Sequence, residues 1–280
     1  MTGLLIVSAD DLGLTDGVTR AVLRGHVDGV VTATSLLAVG RAFDGAVQML
    51  ADTPTLDVGA HLAIVGEDPP LLSAQEIPTL VDKRGAFPLS YRTVVLRGMS
   101  RRLDPDDVRQ EFRAQLDKIR DAGVRVTHLD THQHVHLWPA VAAVVAELAA
   151  EYHIPAVRTP VSHRVLPVGF GVNALSKRLR RRLNLAGLAT TGTYTGLDEA
   201  GSFDQARFER SLDNLPVAAA IGTTVEINAH PGEQGDPDLE RFGWGYRWAD
   251  ELTMLCSPAT RTAIERKGYR LGGFPELAPG

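Results

Sequence analysis

Residues able to do chemistry are concentrated in one stretch of this chain, from Val126 to Pro139. It begins with the alternation typical of a strand, and Trp138-Pro139 predicts the start of a helix. Side chains two positions apart on a strand point the same way, so His128, Asp130 and His132 are predicted to share one side for as long as the strand stays regular. Buried imidazoles and carboxylates are costly to desolvate, which indicates a metal ion or a reacting substrate. A solvated, histidine-rich turn is the alternative.

Polar side chains also end three other strand-like segments. Asp10-Asp11 follow the apolar run Leu4 to Val7, His61 ends Leu56 to Leu62, and His230 follows Thr224 to Ala229. Two histidines and one carboxylate are a recurrent ligand set for a catalytic divalent ion that keeps positions open for water. Either aspartate of the pair could bind the ion while the other faces the water, an arrangement that suits hydrolysis.

Simpler interpretations exist for each of these residues. The aspartate pair could cap the helix that follows, His61 could be a hydrogen-bonded core residue, and His230 could be a turn residue. Asp130 could orient a histidine rather than bind the ion, and we favour that role for it. Their joint occurrence at successive strand ends favours a site over four separate structural roles.

The elements that must position these residues alternate between strand and helix. Helices are predicted over 16–29, 41–51, 104–122, 139–152, 244–255 and 259–267, and further strands over 30–39, 156–158 and 269–271. A long loop over the site is predicted from Glu67 to Tyr91. The basic cluster Lys177 to Arg182 is predicted to be the solvated face of a helix, with an anionic ligand as the alternative. Together these patterns predict an α/β fold, a distorted TIM-like (β/α) barrel, as a single domain over residues 1–280.

Composition excludes several classes of protein. The net charge of −5 argues against nucleic acid as the main partner, and a single cysteine excludes an internal disulfide. The first residues lack the basic region of a signal peptide, and no apolar segment has the length of a membrane span. We therefore expect a cytoplasmic protein.

Four motifs in this order resemble the YdjC/ChbG carbohydrate deacetylases, over residues 4 to 274. They are Ser8-Ala9-Asp10-Asp11-Leu12-Gly13-Leu14, Val58-Gly59-Ala60-His61-Leu62, Thr127 to His136, and Asn228-Ala229-His230-Pro231-Gly232. The segment Glu76 to Asp82 also looks like the HpnK branch, which is associated with hopanoid biosynthesis.

The resemblance implies metal-dependent removal of an acetyl group from an N-acetylated sugar, either a chitooligosaccharide or an N-acetylglucosaminyl glycolipid. It makes Asp11, His61 and His132 the metal ligands and Asp10 the base, with His230 as general acid or oxyanion partner. Arg158 and Glu226 are expected to line the pocket. The remaining predicted substrate-binding or supporting residues are Asp130, His134 and His136.

The resemblance implies one divalent ion, commonly magnesium, whereas two imidazoles suit zinc, cobalt or nickel better. We predict Mg²⁺ or Zn²⁺, and related proteins suggest a homodimer. Two other functions are open at this point. One is a different divalent-metal hydrolase acting on a phosphoester or cyclic amide, and the other is a non-catalytic sugar-binding protein.

Overall fold

The protein is built around one parallel β-sheet. A computed structural model describes residues 3–216 and 222–277. The strands of these residues are β1 (Leu4–Leu12), β2 (Ala33–Leu36), β3 (Asp57–Leu62), β4 (His128–Thr131), β5 (Ala156–Val157), β6 (Thr193–Thr195), β7 (Thr224–Ala229) and β8 (Arg270–Leu271). Their order across the sheet is β5-β4-β3-β2-β1-β7-β6, and β8 also pairs with β1.

Helices connect the strands and cover the outside of the sheet. They are α1 (Asp16–Val27), α2 (Phe43–Ala51), α3 (Tyr91–Met99), α4 (Pro105–Asp121), α5 (Pro139–Glu151), α6 (Pro167–Leu185), α7 (Gln205–Asp213), α8 (Trp248–Leu255) and α9 (Pro258–Arg266). None of the helices in the described ranges is long and apolar enough to cross a membrane.

The sheet is curled, and its two ends approach each other. All nine residues of β1 are buried, as expected for a central parallel strand covered on both faces. An isolated bridge between Ala156 and Ala189 connects β5 to the segment that leads into β6. The predicted α/β fold with a distorted barrel is confirmed, and the strand ends converge on one rim.

Several predicted boundaries were wrong for local reasons. β1 continues through Leu12, so Asp10 and Asp11 lie inside the strand, and Thr15 caps α1 by accepting a hydrogen bond from the Val18 amide. The capping interpretation of the aspartate pair is therefore wrong. α3 was not predicted, because Val94 is the only buried residue on it and its apolar periodicity is weak. α8 begins at Trp248 rather than at Trp244.

Candidate active site

A pocket of about 290 Å³ opens at the carboxyl ends of the strands. Its lining combines side chains from the strand ends with side chains from the connecting loops. They are Asp10, Asp11, His61, Tyr91, His132, Gln133, His134, Leu197, Ala200, His230, Trp244 and Tyr246. Six of the ten site residues predicted from the sequence are therefore gathered at one surface.

A local irregularity in β1 brings both aspartates to this pocket. Successive side chains of a regular strand point to opposite faces. The pairing of β1 with β2 shifts register between Ala9 and Leu12, and Asp11 has a φ of 66°. This left-handed residue redirects the chain, so that Asp10 and Asp11 reach the same pocket from adjacent positions.

Asp11, His61 and His132 place three ligand atoms around one point. Asp11 Oδ1 lies 3.3 Å from His61 Nε2 and 3.1 Å from His132 Nδ1, and the two ring nitrogens are 3.3 Å apart. Ligand atoms about 2.1 Å from one metal ion are roughly 3.0 to 3.4 Å from each other, so the spacing fits a shared divalent ion. The three side chains are buried, and the fourth side faces the pocket.

The electrostatics of this triad favour a cation at its centre. Burial opposes ionisation, but His132 and His61 hold the pKa of the Asp11 carboxyl well below its usual range. Burial also opposes a charged imidazole, yet Asp130 and Asp11 raise the pKa of His61 well above its usual value. The surroundings therefore favour positive charge at this position, which a divalent ion would supply in place of a proton.

Asp130 lies behind His61 and fixes its orientation. Its Oδ1 is 2.7 Å from His61 Nδ1, and a carboxylate can only accept. Nδ1 therefore carries the hydrogen, which leaves the Nε2 lone pair free to face the ion position. Burial opposes ionisation of Asp130 as well, but Arg158 and His61 lower the pKa of its carboxyl.

Arg158 is fully buried beneath the pocket and contacts three carboxylates. It donates to both oxygens of Asp10, at 2.6 and 2.8 Å, and to Glu226 Oε1 at 2.7 Å, and it pairs with Asp130. The expectation that Arg158 and Glu226 line the pocket was wrong, because neither reaches its surface. A guanidinium presents five donors in a planar fork, which allows one side chain to hold all three acids.

Asp10, His61 and Asp130 form a second group with metal-ligand spacing. Arg158 already supplies the positive charge for both of its carboxylates. The triad of Asp11, His61 and His132 is therefore the group that could hold a metal ion.

Glu226 differs from the other two acids around Arg158. Its Oε1 accepts from Arg158 and from the Ser8 hydroxyl at 2.9 Å, while its Oε2 is buried without a hydrogen-bond partner among the described residues. Burial raises the pKa of Glu226 to about 7, despite the opposing effect of Arg158. This carboxyl is therefore partly protonated near neutral pH.

The carboxylate of Asp10 is almost fully occupied by hydrogen bonds. Besides Arg158, its Oδ2 accepts from Asn228 at 3.0 Å and its Oδ1 accepts from the Ser35 hydroxyl at 3.3 Å. The Ser35 contact is the longest of the four. Oδ1 is therefore the oxygen best able to exchange a protein donor for a water in the pocket.

His132, His134 and His136 lie in three different environments because the strand ends at Thr131. Gln133 and His134 have φ values of 52° and 53°, so the chain turns sharply after His132. His134 faces the pocket beside the Tyr194 hydroxyl, at 3.5 Å, and burial holds its pKa well below the usual value. His136 is buried instead, with Nδ1 2.7 Å from the Thr131 hydroxyl and Nε2 3.1 Å from the Arg158 carbonyl oxygen.

His128 lies away from this site. Its ring stacks on Phe274 with 3.7 Å between centroids and packs against Gly59. The predicted alternation holds within β4, where His128 and Asp130 lie two positions apart on one side, and it ends before His132, which lies beyond the strand.

His230 approaches the pocket from the end of β7. Its backbone amide donates to Glu251 Oε2 at 2.5 Å, and its ring lies 5.1 Å from that of Tyr246. Its Nδ1 is buried without a partner among the described residues. Burial lowers the pKa of this imidazole, so its neutral form dominates at neutral pH.

Comparison with known proteins places this chain in a family. Residues 4–266 match the family model described as YdjC-like protein. The chain belongs to the YdjC family. It is 38% identical to the carbohydrate deacetylase of Brevibacillus brevis, over 98% of this chain and 99% of that protein. It is 28% identical to the chitooligosaccharide deacetylase of Proteus mirabilis, over 99% of this chain and all of that protein.

A solved structure of similar shape supports the fold. It comes from Enterococcus faecalis V583 and is provisionally described as a cellobiose-phosphate cleavage protein. The TM-score is 0.81 and the sequence identity 26%, over 99% of this chain and all of that one.

The loops of this YdjC-family pocket contribute aromatic walls that the sequence did not identify. Trp244 lies 5.2 Å from the ring of His132 and 5.4 Å from that of Tyr246. Its indole Nε1 donates to Glu67 Oε1 at 3.0 Å, which joins the loop after β3 to the loop before α8. Glycines on both sides of Trp244, with a φ of 68° at Gly245, were a signal for a loop rather than a helix.

Proposed function

We propose that this protein is a carbohydrate N-deacetylase that hydrolyses the acetamide of an N-acetylated sugar with one divalent ion. The observation that carries the proposal is the triad of ligand atoms within 3.3 Å of one another, beside the Asp10 carboxylate in the same pocket. Relatives of similar length in the YdjC family are named carbohydrate deacetylases. The family match over residues 4–266 also supports one deacetylase domain.

Asp11, His61 and His132 would hold the ion. A bound divalent ion would lower the pKa of a water molecule and polarise the acetyl carbonyl. Two nitrogen ligands favour zinc or another borderline metal, whereas magnesium is expected from the family resemblance, so both belong in the experiment.

Asp10 is the proposed general base. Arg158 and Asn228 hold its carboxylate by hydrogen bonds, and its Oδ1 is the oxygen with the longest protein contact. A water that displaces the Ser35 hydroxyl from Oδ1 can transfer its proton there. The fixed orientation supports the reaction, because a base must lie within hydrogen-bond reach of the proton that it takes.

His230 is proposed to act on the far side of the acetamide. A neutral imidazole can donate a hydrogen bond to the developing oxyanion. Alternatively, an imidazole that has taken up a proton from solvent can transfer that proton to the leaving amine. The two roles are separable, because an aryl acetate has a leaving group that needs no proton. His230→Ala should impair amide and aryl ester hydrolysis equally if it is an oxyanion partner, and the amide far more if it is the acid.

The pocket suits one sugar unit. Its volume of about 290 Å³ is at the lower end of small-molecule sites, which are roughly 300 to 1,000 Å³. Trp244 and Tyr246 offer aromatic faces to the apolar face of a pyranose ring. A phosphoester is less suitable, because no arginine or lysine is among the described residues that line the pocket, and Arg158 is committed to three acids below it.

The experiment is acetate release from N-acetylglucosamine oligomers and from an N-acetylglucosaminyl glycolipid. The purified protein is treated with a chelator and then supplied with zinc, magnesium, cobalt or nickel in turn. We expect release to stop on chelation and to return with at least one ion. Release that survives removal of all metal would contradict the proposed mechanism, and saccharide binding without any release would leave a sugar-binding protein.

A further inference from the structure

Exposed apolar side chains are unevenly distributed on this molecule. Among the described residues, nine of the twelve large apolar side chains that are strongly exposed lie in segments 89–99 and 165–185. They are Leu89, Tyr91, Leu96, Met99, Val165, Leu166, Val168, Phe170 and Leu185, and Val165 is 83% exposed. Scattered apolar residues are normal on a surface, but a concentration of this kind marks an interaction site.

The two segments face each other across one cavity. The cavity has a volume of about 430 Å³, and α3 and α6 contribute residues from its two sides, including Val95 and Val168. It shares four lining residues with the pocket of the candidate active site, namely Tyr91, Gln133, His134 and Leu197. The exposed apolar segments therefore frame an entrance beside the site.

Helix α6 adds a basic face to this surface. Its sequence contains one lysine, four arginines and no acidic residue, in a chain whose net charge is −5. Within residues 3–216 and 222–277, four of these side chains are exposed and form no ion pair. They are Lys177, Arg178, Arg181 and Arg182. Exposed arginines outside α6 are mixed: Arg109 pairs with Glu147 of the neighbouring helix, whereas Arg125 forms no ion pair among the described residues.

Helical spacing puts two of these basic residues in line with two of the exposed apolar ones, whereas Val168 lies on the side of α6 that faces the cavity. Phe170, Arg178, Arg181 and Leu185 are separated by eight, three and four positions, which places them on one side of an α-helix. The opposite side carries Leu179 and Leu183, which are buried against the core. α6 therefore presents a solvent face that is apolar at both ends and basic between them.

We propose that this docking surface, formed by segments 89–99 and 165–185, binds an anionic lipid bilayer at its interface. Apolar side chains of an interfacial helix enter the boundary between headgroups and acyl chains, while lysine and arginine pair with anionic headgroups. A second copy of this chain is a poorer occupant. In a two-fold contact through α6, the four unpaired basic side chains would face their own equivalents.

The test measures sedimentation of the full chain with vesicles of phosphatidylcholine, with and without roughly one-third phosphatidylglycerol. We expect binding only to the anionic vesicles. The variant Arg178→Glu/Arg181→Glu should weaken that binding by roughly tenfold or more, since both charges are reversed. Phe170→Ser should weaken it too, and Phe170→Trp should show a blue-shifted emission with anionic vesicles alone.

Matched controls change equally exposed residues outside the docking surface. Val27→Ser removes an apolar side chain that is 71% exposed on α1, and Arg84→Glu reverses an exposed arginine in the loop after β3. Both should bind vesicles as the unchanged protein does. Equal binding to both vesicle types, or equal losses in controls and test variants, would overturn the proposal.

Absence of vesicle binding would also overturn it. Sedimentation velocity of the same variants would then show whether the surface serves a second copy, which requires a dimer that Phe170→Ser dissociates. None of these measurements depends on catalysis, so their outcome is separate from that of the acetate-release experiment.

Discussion

Two groups of buried charge lie one above the other in this molecule, and they differ in how their charge is balanced. In the lower group, Arg158 donates to Asp10, Asp130 and Glu226, so the acids share a cation that belongs to the chain. In the upper group, Asp11, His61 and His132 direct lone pairs at one point, with no lysine or arginine among them. Close spacing alone therefore does not distinguish the two groups, and the upper group is the one that could hold a metal ion without competing with a cation of the chain.

The largest effect that this comparison predicts is the loss of a ligand from the upper group. His61→Ala should abolish metal content and reduce acetate release to background, because two ligand atoms do not retain a catalytic ion. Atomic emission on the purified protein measures the metal. His153→Asn, at an exposed histidine, is the control that should keep both. Full metal content in His61→Ala would show that the triad does not bind the ion.

Asp10→Asn should separate the effect on turnover from the effect on metal binding. The amide cannot accept a proton, so turnover should fall by roughly 10² to 10⁴-fold while metal content stays unchanged. Acetate release and metal content are measured on the same sample, with Asp52→Asn at an exposed position as control. Unchanged turnover would show that Asp10 is not the base, and a loss of metal would place it among the ligands.

Removal of the internal cation, Arg158, should lower the stability of the protein. Arg158→Met leaves three buried acids without a counter-ion, and we expect the free energy of unfolding to fall by about 3 to 5 kcal/mol. Urea unfolding measures this, and Arg125→Met, at an exposed arginine, should change it by less than about 0.5 kcal/mol. A small effect at Arg158 would mean that the acids are neutralised in another way.

Asp130 lies in the lower group and contacts His61 of the upper group, so it should have an intermediate effect. Asp130→Asn keeps an acceptor for His61 Nδ1 but can direct an amide NH₂ at Arg158, where a donor meets a donor. Metal affinity should fall by roughly 10 to 100-fold, as for other residues that orient a ligand. Titration of the metal-free protein tests this. Unaltered affinity would show that His61 needs no orienting partner.

Glu226 should give an effect on stability that depends on pH. Its pKa rises from 4.5 to about 7 on burial, so its contribution to stability is fully present below 4.5 and is lost as pH rises through about 7. Over this window the unchanged protein should lose stability relative to Glu226→Gln, by at most roughly 1.4 kcal/mol per pH unit. Urea unfolding of both proteins across the window measures the difference, and parallel curves would contradict the assignment.

The sequence predicted the residues of the upper group better than those of the lower group. Asp11, His61 and His132 lie at or just after the ends of apolar strands, so their convergence follows from the parallel topology. The contacts of Arg158 join residues 68 and 148 positions apart, and no periodic pattern connects them. Its place beneath the pocket depends on the curvature of the sheet, which local sequence does not specify.

The errors in the predicted elements have the same physical origin. The strand at residues 128–131 is much shorter than its alternating pattern, because Gln133 and His134 adopt left-handed conformations that only tertiary contacts favour. Trp244 was assigned to a helix, although it is held in a loop by its bond to Glu67, 177 positions away. Local propensity predicts the elements, and long-range contacts decide where they end.

The origin of the pocket walls has a consequence for redesign. Asp10, Asp11 and His61 lie on strands β1 and β3 and His132 directly follows β4, whereas Tyr91, Leu197, Ala200, Trp244 and Tyr246 come from the segments that connect the strands. Randomising these five positions should therefore yield enzymes with altered saccharide preference and an unchanged reaction. The same barrel could therefore be a starting point for enzymes that deacetylate sugars outside its natural substrate range.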